Sequence, residues 1–299
     1  MANEGWKRPL YFDAGLRTGD YGGTGDYLHM EGLVYRLMPF KYNDSVKTNT
    51  QVLGTIDTKK GYDMFMNKFI WGGADRNDVY FDEPNRHEFV TYRMDGAFLA
   101  NQLVTEGKKE QAVQVLDKVM AGITEHSYSY DYTGYFIAAS YFRAGAIKKA
   151  EDLSGKIMRN ADVDLAWWAT LPDNSKIAMG DDVRQQFQIM QSLAQMASQS
   201  GDAAAAKDMV NRIVAHAENY VSWVGNLSAD NKAALSDDVK QKFYVMQSLA
   251  QMVYQSGDSA MAKQIGMKMQ NLAPKVRDLL NTKNQSNNVP QQDNGDEQL

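Results

Sequence analysis

Residues Phe187–Asp202 read FQIMQSLAQMASQSGD, and 56 positions later Phe243–Asp258 read FYVMQSLAQMVYQSGD. Between residues 181 and 202, 16 of 22 positions are identical to their counterparts 56 further on. An internal duplication of this kind means one structural unit used twice, and it fixes the architecture of the second half of the chain. Val183, Phe187, Met190, Leu193, Ala194 and Ala197 fall on one helical stripe, so the duplicated unit contains an amphipathic helix.

A sparser pattern extends beyond the duplication. Ala194, Gly201 and Ala206 are spaced seven and five residues apart, as are Ala250, Gly257 and Ala262; the same spacing recurs at Ala100, Gly107 and Ala112, and at Ala138, Gly145 and Ala150. Small side chains let two antiparallel helices approach to the short end of the ~8–10 Å range of interaxial distances. The glycine supplies a left-handed residue to end the first helix, and Asp202 or Asp258 directly after it suits the N-cap of the second. A large residue, Leu99, Ile137, Leu193 or Leu249, precedes each first alanine. The pattern resembles the tetratricopeptide repeat, whose helix-turn-helix unit carries small residues and a turn glycine at these offsets. The repeat glycines here are 38, 56 and 56 residues apart, against ~34 in the standard unit. The longer units hold Trp-bearing inserts, WWATLPDNSKIAMGDDV from Trp167 and WVGNLSADNKAALSDDV from Trp223, expected to pack as a segment and loop on an irregular stack.

The first 90 residues have a different texture. Runs at Arg8–Asp13, Glu31–Pro39 and Thr50–Asp57 read as strands, separated by a glycine-rich loop over Arg17–Tyr27. The expected fold is mainly α: a tetratricopeptide-like solenoid of helical hairpins over residues 91–280, with a small mixed α/β segment over 1–90 and a disordered tail over 281–299.

Composition narrows the function classes. A net charge of -5 gives no electrostatic attraction for nucleic acid, and no run of apolar residues is long enough to span a bilayer. The chain has no cysteine, which excludes disulfides, thiolate metal sites and a cysteine nucleophile. The start MANEGWKRPLYF carries no apolar signal core.

Candidate chemistry is sparse. Gly19–Asp26 (GDYGGTGD) lacks the lysine and Ser/Thr of a phosphate-binding loop and carries two aspartates, so it reads as a turn. Asp75–Glu83 clusters carboxylates without the glycine and distal glutamate of a calcium loop, and reads as a connector. His29, His87, His126 and His216 have no helical pairing that would hold zinc. No catalytic, cofactor-binding or metal-binding residue is assigned, and no cofactor is expected. The aromatics Tyr130, Tyr132, Trp167 and Trp223 are candidate sugar- or peptide-binding rings, with core packing the favoured reading. Trp71 is expected to dock the N-terminal segment onto the first repeat helix.

A second resemblance follows from successive landmarks: NEGWKRPLYF (Asn3–Phe12), GDYLHMEGLVYRLMP (Gly25–Pro39), YDMFMNKFIWGG (Tyr62–Gly73) and EGKKEQAVQVLDKVM (Glu106–Met120). In this order they resemble the C-terminal region of a bacterial family of multi-spanning membrane proteins similar to protein O-mannosyltransferases, with Leu10 where the family usually has Ile. In that family a bundle of membrane helices precedes this region, and the sequence begins five residues before Trp6. The resemblance therefore implies a non-catalytic accessory domain on the periplasmic side of the inner membrane. It would present a helical surface to a protein or glycan partner and work beside a membrane-embedded glycosyltransferase-like portion. Two alternatives are a freestanding peptide-binding scaffold and, less favoured, a glycan hydrolase with two carboxylates facing each other in a cleft.

Overall fold

The computed structural model describes residues 5–14, 21–41 and 52–286. Arg17–Asp20 of the glycine-rich loop, Thr50 and Gln51, and residues 287–299 of the expected tail lie outside the described residues. The fold is mainly α, made of helical hairpins, with a small mixed sheet near the N-terminus. Two compact units, residues 1–161 and 162–299, compose the chain.

In the first unit, strands β1 (Tyr11–Asp13), β2 (Leu28–Met30), β3 (Val34–Leu37) and β4 (Thr55–Ile56) form a sheet in the order β1-β3-β2-β4. The β1–β3 and β3–β2 pairs are antiparallel, whereas β2–β4 is parallel. Helix α1 (Thr58–Asp63) follows, capped by Asp57 accepting the Lys60 N–H, and runs into a π-helical turn at Met64–Lys68. Then come α2 (Glu83–Thr105), α3 (Lys109–Gly122), α4 (Tyr132–Ala144) and α5 (Ile147–Thr170). The sheet's core of Tyr21, Leu28, Met30, Tyr35 and Val52 also takes in Phe98 of α2. Sheet and first hairpin thus bury one apolar set together, and the first compact unit extends to Ala161, inside α5.

The second unit repeats itself in structure as in sequence. Helices α6 (Asp173–Ala178), α7 (Gly180–Ser200) and α8 (Ala203–Val224) are followed by α9 (Ala229–Ala234), α10 (Ser236–Gln255) and α11 (Ser259–Ser286), whose starts lie at 173 + 56, 180 + 56 and 203 + 56. Helix α7 packs on α8, and α10 packs on both α11 and α8. The short helices α6 and α9 are the cores of the two inserts. Helix α11 runs six residues into the expected tail, since each added residue on a formed helix gains a backbone hydrogen bond.

One turn closes all four hairpins. Gly107, Gly145, Gly201 and Gly257 adopt φ of 78, 81, 91 and 94°, which a side chain would strain. The next residue's N–H bonds back five positions, as in Asp202 N to Ala197 O at 3.2 Å and Asp258 N to Val253 O at 2.9 Å. Asp202 then accepts the Ala204 and Ala205 N–H groups, starting α8. Ala100, Ala112, Ala138, Ala150, Ala194 and Ala206 are buried, while Ala250 and Ala262 are partly covered. The crossing of α2 and α3 is tight: a Cβ at Gly96 would sit 2.5 Å from Cγ2 of Val119.

Trp71 anchors the connector between the sheet and α2. Its ring lies where any Cβ on Gly122, at the end of α3, would be 2.2 Å away. It also packs against the cluster of Ala74, Phe89 and Ile123, and edge-to-face on Phe69. It therefore rests on both helices of the first hairpin, where a single helix was expected.

Arg93 is fully buried on α2, with no acidic side chain in its hydrogen-bond set. Its guanidinium donates to the carbonyls of Ile123, Tyr128 and Ser129 and to the Thr133 hydroxyl, and it lies 5.1 and 5.0 Å from the Tyr128 and Tyr130 ring centres. A planar donor fork thereby ties the α3–α4 loop to α2, which a lysine ammonium cannot reproduce. Arg93→Leu strands several buried acceptors, so urea unfolding of this variant is expected to show a loss of about 3 kcal/mol or more, with Arg93→Lys recovering less than half of it.

Candidate functional site

Of the four candidate binding rings, Tyr130 is buried beneath Arg93 and Lys156. Tyr132 is half-buried, edge-to-face on Phe136 at 6.5 Å. Trp223 is part of an aromatic cluster: its ring meets Trp168 at 5.0 Å and Tyr220 at 5.4 Å, its Nε1 donates to Asp173 at 2.8 Å, and the Lys176 ammonium lies 5.7 Å from its centre. Trp168 in turn stacks on Tyr220 with planes 13° apart. Trp167, one residue earlier, is 55% exposed. Successive helix residues point ~100° apart, so the adjacent tryptophans divide: one packs and the other presents its face.

Trp167 lines a groove of about 260 Å³ between the C-terminal half of α5 and the start of α7. Asp164 stands on one wall, Asp182, Gln185 and Gln186 stand on the other, and Leu165 and Val183 supply apolar surface. The Gln186 amide donates to Asp164 at 3.4 Å, and the groove wall raises the Asp164 carboxyl above its ordinary range. A flat ring beside planar amides and carboxyls matches the apolar face and hydroxyl rim of a pyranose. The sequence pointed to Trp167 but not to its polar companions: Asp164 lies three positions earlier on the same helix, whereas Asp182, Gln185 and Gln186 lie 15 to 19 positions on and meet the ring only through helix packing.

Beneath the aromatic cluster lies a buried lysine. Lys242 of α10 is 1% exposed, with its ammonium 4.2 Å from the Phe187 ring centre and 5.2 Å from that of Tyr220. Burial pushes its pKa down to about 8, opposed by Asp238, which also pairs with Arg184 at 3.0 Å. The corresponding position in the first copy is Gln186, so this charge belongs to one copy alone.

In the first unit, ligand atoms of His29, Glu31 and Asp57 lie within 4.8 Å of one another. Lys60 already supplies the positive charge there, its ammonium 2.7 Å from Glu31, with Arg36 at 3.5 Å; the Tyr11 hydroxyl donates to the other Glu31 oxygen. Asp57 is committed to capping α1, and burial lowers the His29 pKa, favouring neutral imidazole. The cluster is an ionic knot joining β1, β2, β3 and α1. His216 binds Asp162 at 2.8 Å beside Arg212, a tie between α5 and α8.

Residues 1–60, which hold the sheet and this knot, match the family model described as TMEM260-associated domain 2. The match spans 60 of 299 residues and identifies a domain associated with a membrane-protein family. Comparisons with curated proteins and with solved structures return no match. No helix among the described residues is long and apolar enough to cross a membrane.

Lys242 gives a pH test with a definite sign. A lysine whose folded pKa lies below its unfolded ~10.5 makes the unfolded state bind more protons between the two values, so stability rises with pH across that window. The wild type is expected to gain stability from pH 8 to pH 10. Lys242→Met is expected to be more stable than wild type by about 1 kcal/mol at pH 7, after cation–π attraction offsets part of the desolvation. That advantage should vanish near pH 10 in urea titrations.

Proposed function

We propose that the chain is a non-catalytic accessory module of a glycosyltransferase-like membrane protein, and that its second unit holds a glycan in the Trp167 groove. The observation that carries this reading is the exposed tryptophan, flanked by Asp164 on its own helix and by Asp182 and Gln185 on α7. Solvent exposure of so large an apolar ring costs hydrophobic free energy that a bound sugar face would recover. The match of residues 1–60 to a TMEM260-associated domain supports placement beside a membrane protein, and the resemblance to O-mannosyltransferase-like proteins supports a mannosyl ligand and a periplasmic location. The groove is not an enclosed cavity, which suits holding a glycan in passing more than enclosing a reaction centre.

Titrating the full chain with mannose oligosaccharides is expected to change tryptophan fluorescence saturably. Trp167→Ala should weaken binding about tenfold or more without lowering thermal stability, because the ring is exposed. Unchanged affinity in that variant removes the groove from the account. Turnover of a chromogenic glycoside that is lost in Asp164→Asn and Asp182→Asn overturns the non-catalytic reading in favour of a hydrolase.

A further inference from the structure

The duplication lets the Trp167 groove be compared with its own counterpart 56 positions on. Trp167 corresponds to Trp223, Asp182 to Asp238, Gln185 to Gln241, Asp164 to Tyr220 and Gln186 to Lys242. In the second copy the protein supplies an ammonium at this place. Lys242 lies 5.2 Å from the Tyr220 ring centre, with Asp238 as the opposing charge, and Asp238 also pairs with Arg184 at 3.0 Å. The first copy has the carboxylates without the cation. Gln186 stands where the lysine would be and donates to Asp164 at 3.4 Å, while Asp182 makes no hydrogen bond or ion pair among the described residues. No lysine or arginine is among the described residues lining the groove. Arg184 turns to Asp181 and Asp238, and Lys176 lies over the Trp168 and Trp223 rings. A second groove, of about 370 Å³ between α7 and α10, is lined by Gln, Ser, Leu and Met side chains alone, so facing carboxylates are a property of the Trp167 groove and not of every groove in this unit.

We infer that the Trp167 groove selects an amine-bearing sugar, whose ammonium takes the place that Lys242 fills in the second copy. This rests on the glycan reading above and names the class of glycan. Two carboxylates on facing walls repel each other, and a ligand ammonium between them relieves that repulsion through charge-assisted hydrogen bonds. The exposed face of Trp167 attracts the same cation and takes the apolar face of the sugar ring. The Gln185 and Gln186 amides are left to meet hydroxyl groups, which they serve as donor or acceptor. An acetylated amine or a plain hydroxyl in that position forms hydrogen bonds but leaves the carboxylates without a counter-charge. A mannosyl unit therefore binds through its ring and hydroxyls alone, more weakly than an amino sugar.

The test is calorimetric titration of the full chain with glucosamine trimer, its N-acetylated form and mannotriose, at about pH 6, where an aliphatic amine is protonated. The glucosamine trimer is expected to bind about tenfold tighter or more than the other two, and to lose most of that preference when salt is raised from about 50 mM to about 500 mM. In Asp164→Asn/Asp182→Asn, two exposed positions, the preference should fall below about threefold. Gln186→Lys, which gives the first copy the ammonium of the second, should weaken binding of the glucosamine trimer more than that of the N-acetylated trimer. Equal affinities for the three trimers overturn this inference and leave the glycan reading standing, whereas saturable binding by none of them overturns both. Ethanolamine binding as tightly as the glucosamine trimer also overturns it, since the groove would then recognise an amine without a sugar. A glucosamine preference retained in both variants does the same, because the ammonium would then lie outside this groove.

Discussion

The structure depends on how closely the two helices of each hairpin approach. In the first hairpin the approach leaves no room for a methyl group at Gly96 against Val119, and Ala100 one turn on is fully buried. The same small residues are buried at Ala138, Ala150, Ala194 and Ala206. Four identical left-handed turns reverse the chain so that these positions meet. Larger residues preceding them, Leu99, Ile137, Leu193 and Leu249, are buried beside the crossing and supply the apolar area that close approach permits.

Against this backbone, charge is handled in two ways. Arg93 is buried against carbonyl oxygens and aromatic faces, with enough donors satisfied to fix a loop. Lys242 is buried against aromatic faces, and that burial loosens its proton although the nearby Asp238 carboxylate opposes the effect. The groove between α7 and α10 avoids charge altogether. The duplication thus produces two neighbouring surfaces on α7 with different chemistry: an aromatic and acidic one near its start, and an amide-lined one towards its end.

Much of the helical architecture was readable because its signals are local. A glycine after a stripe of apolar residues, with alanines seven before and five after, specifies a hairpin from about twenty residues. The sheet was harder. Strand β2 has three residues, too few for an alternating pattern, and its Leu28 adjoins a segment read as loop; its parallel partner β4 has two. Trp71 was placed at the right interface because a large aromatic in a connector must bury somewhere, but Gly122, which makes room for it, lies about fifty residues on. Arg93 looked like any helical arginine. Its role depends on where the carbonyls of another segment point, and no spacing in the sequence reports that.

The close crossing itself can be tested by a substitution whose sign is in dispute. In a helix interior, alanine is favoured over glycine by ~1 kcal/mol. Gly96→Ala would therefore stabilise the protein if α2 had room to spare. The crossing described here predicts the opposite in a urea titration: a net loss of about 1 kcal/mol or more, as the new methyl displaces Val119. A variant stabilised by the full helix-propensity difference would contradict the close approach on which the hairpin rests.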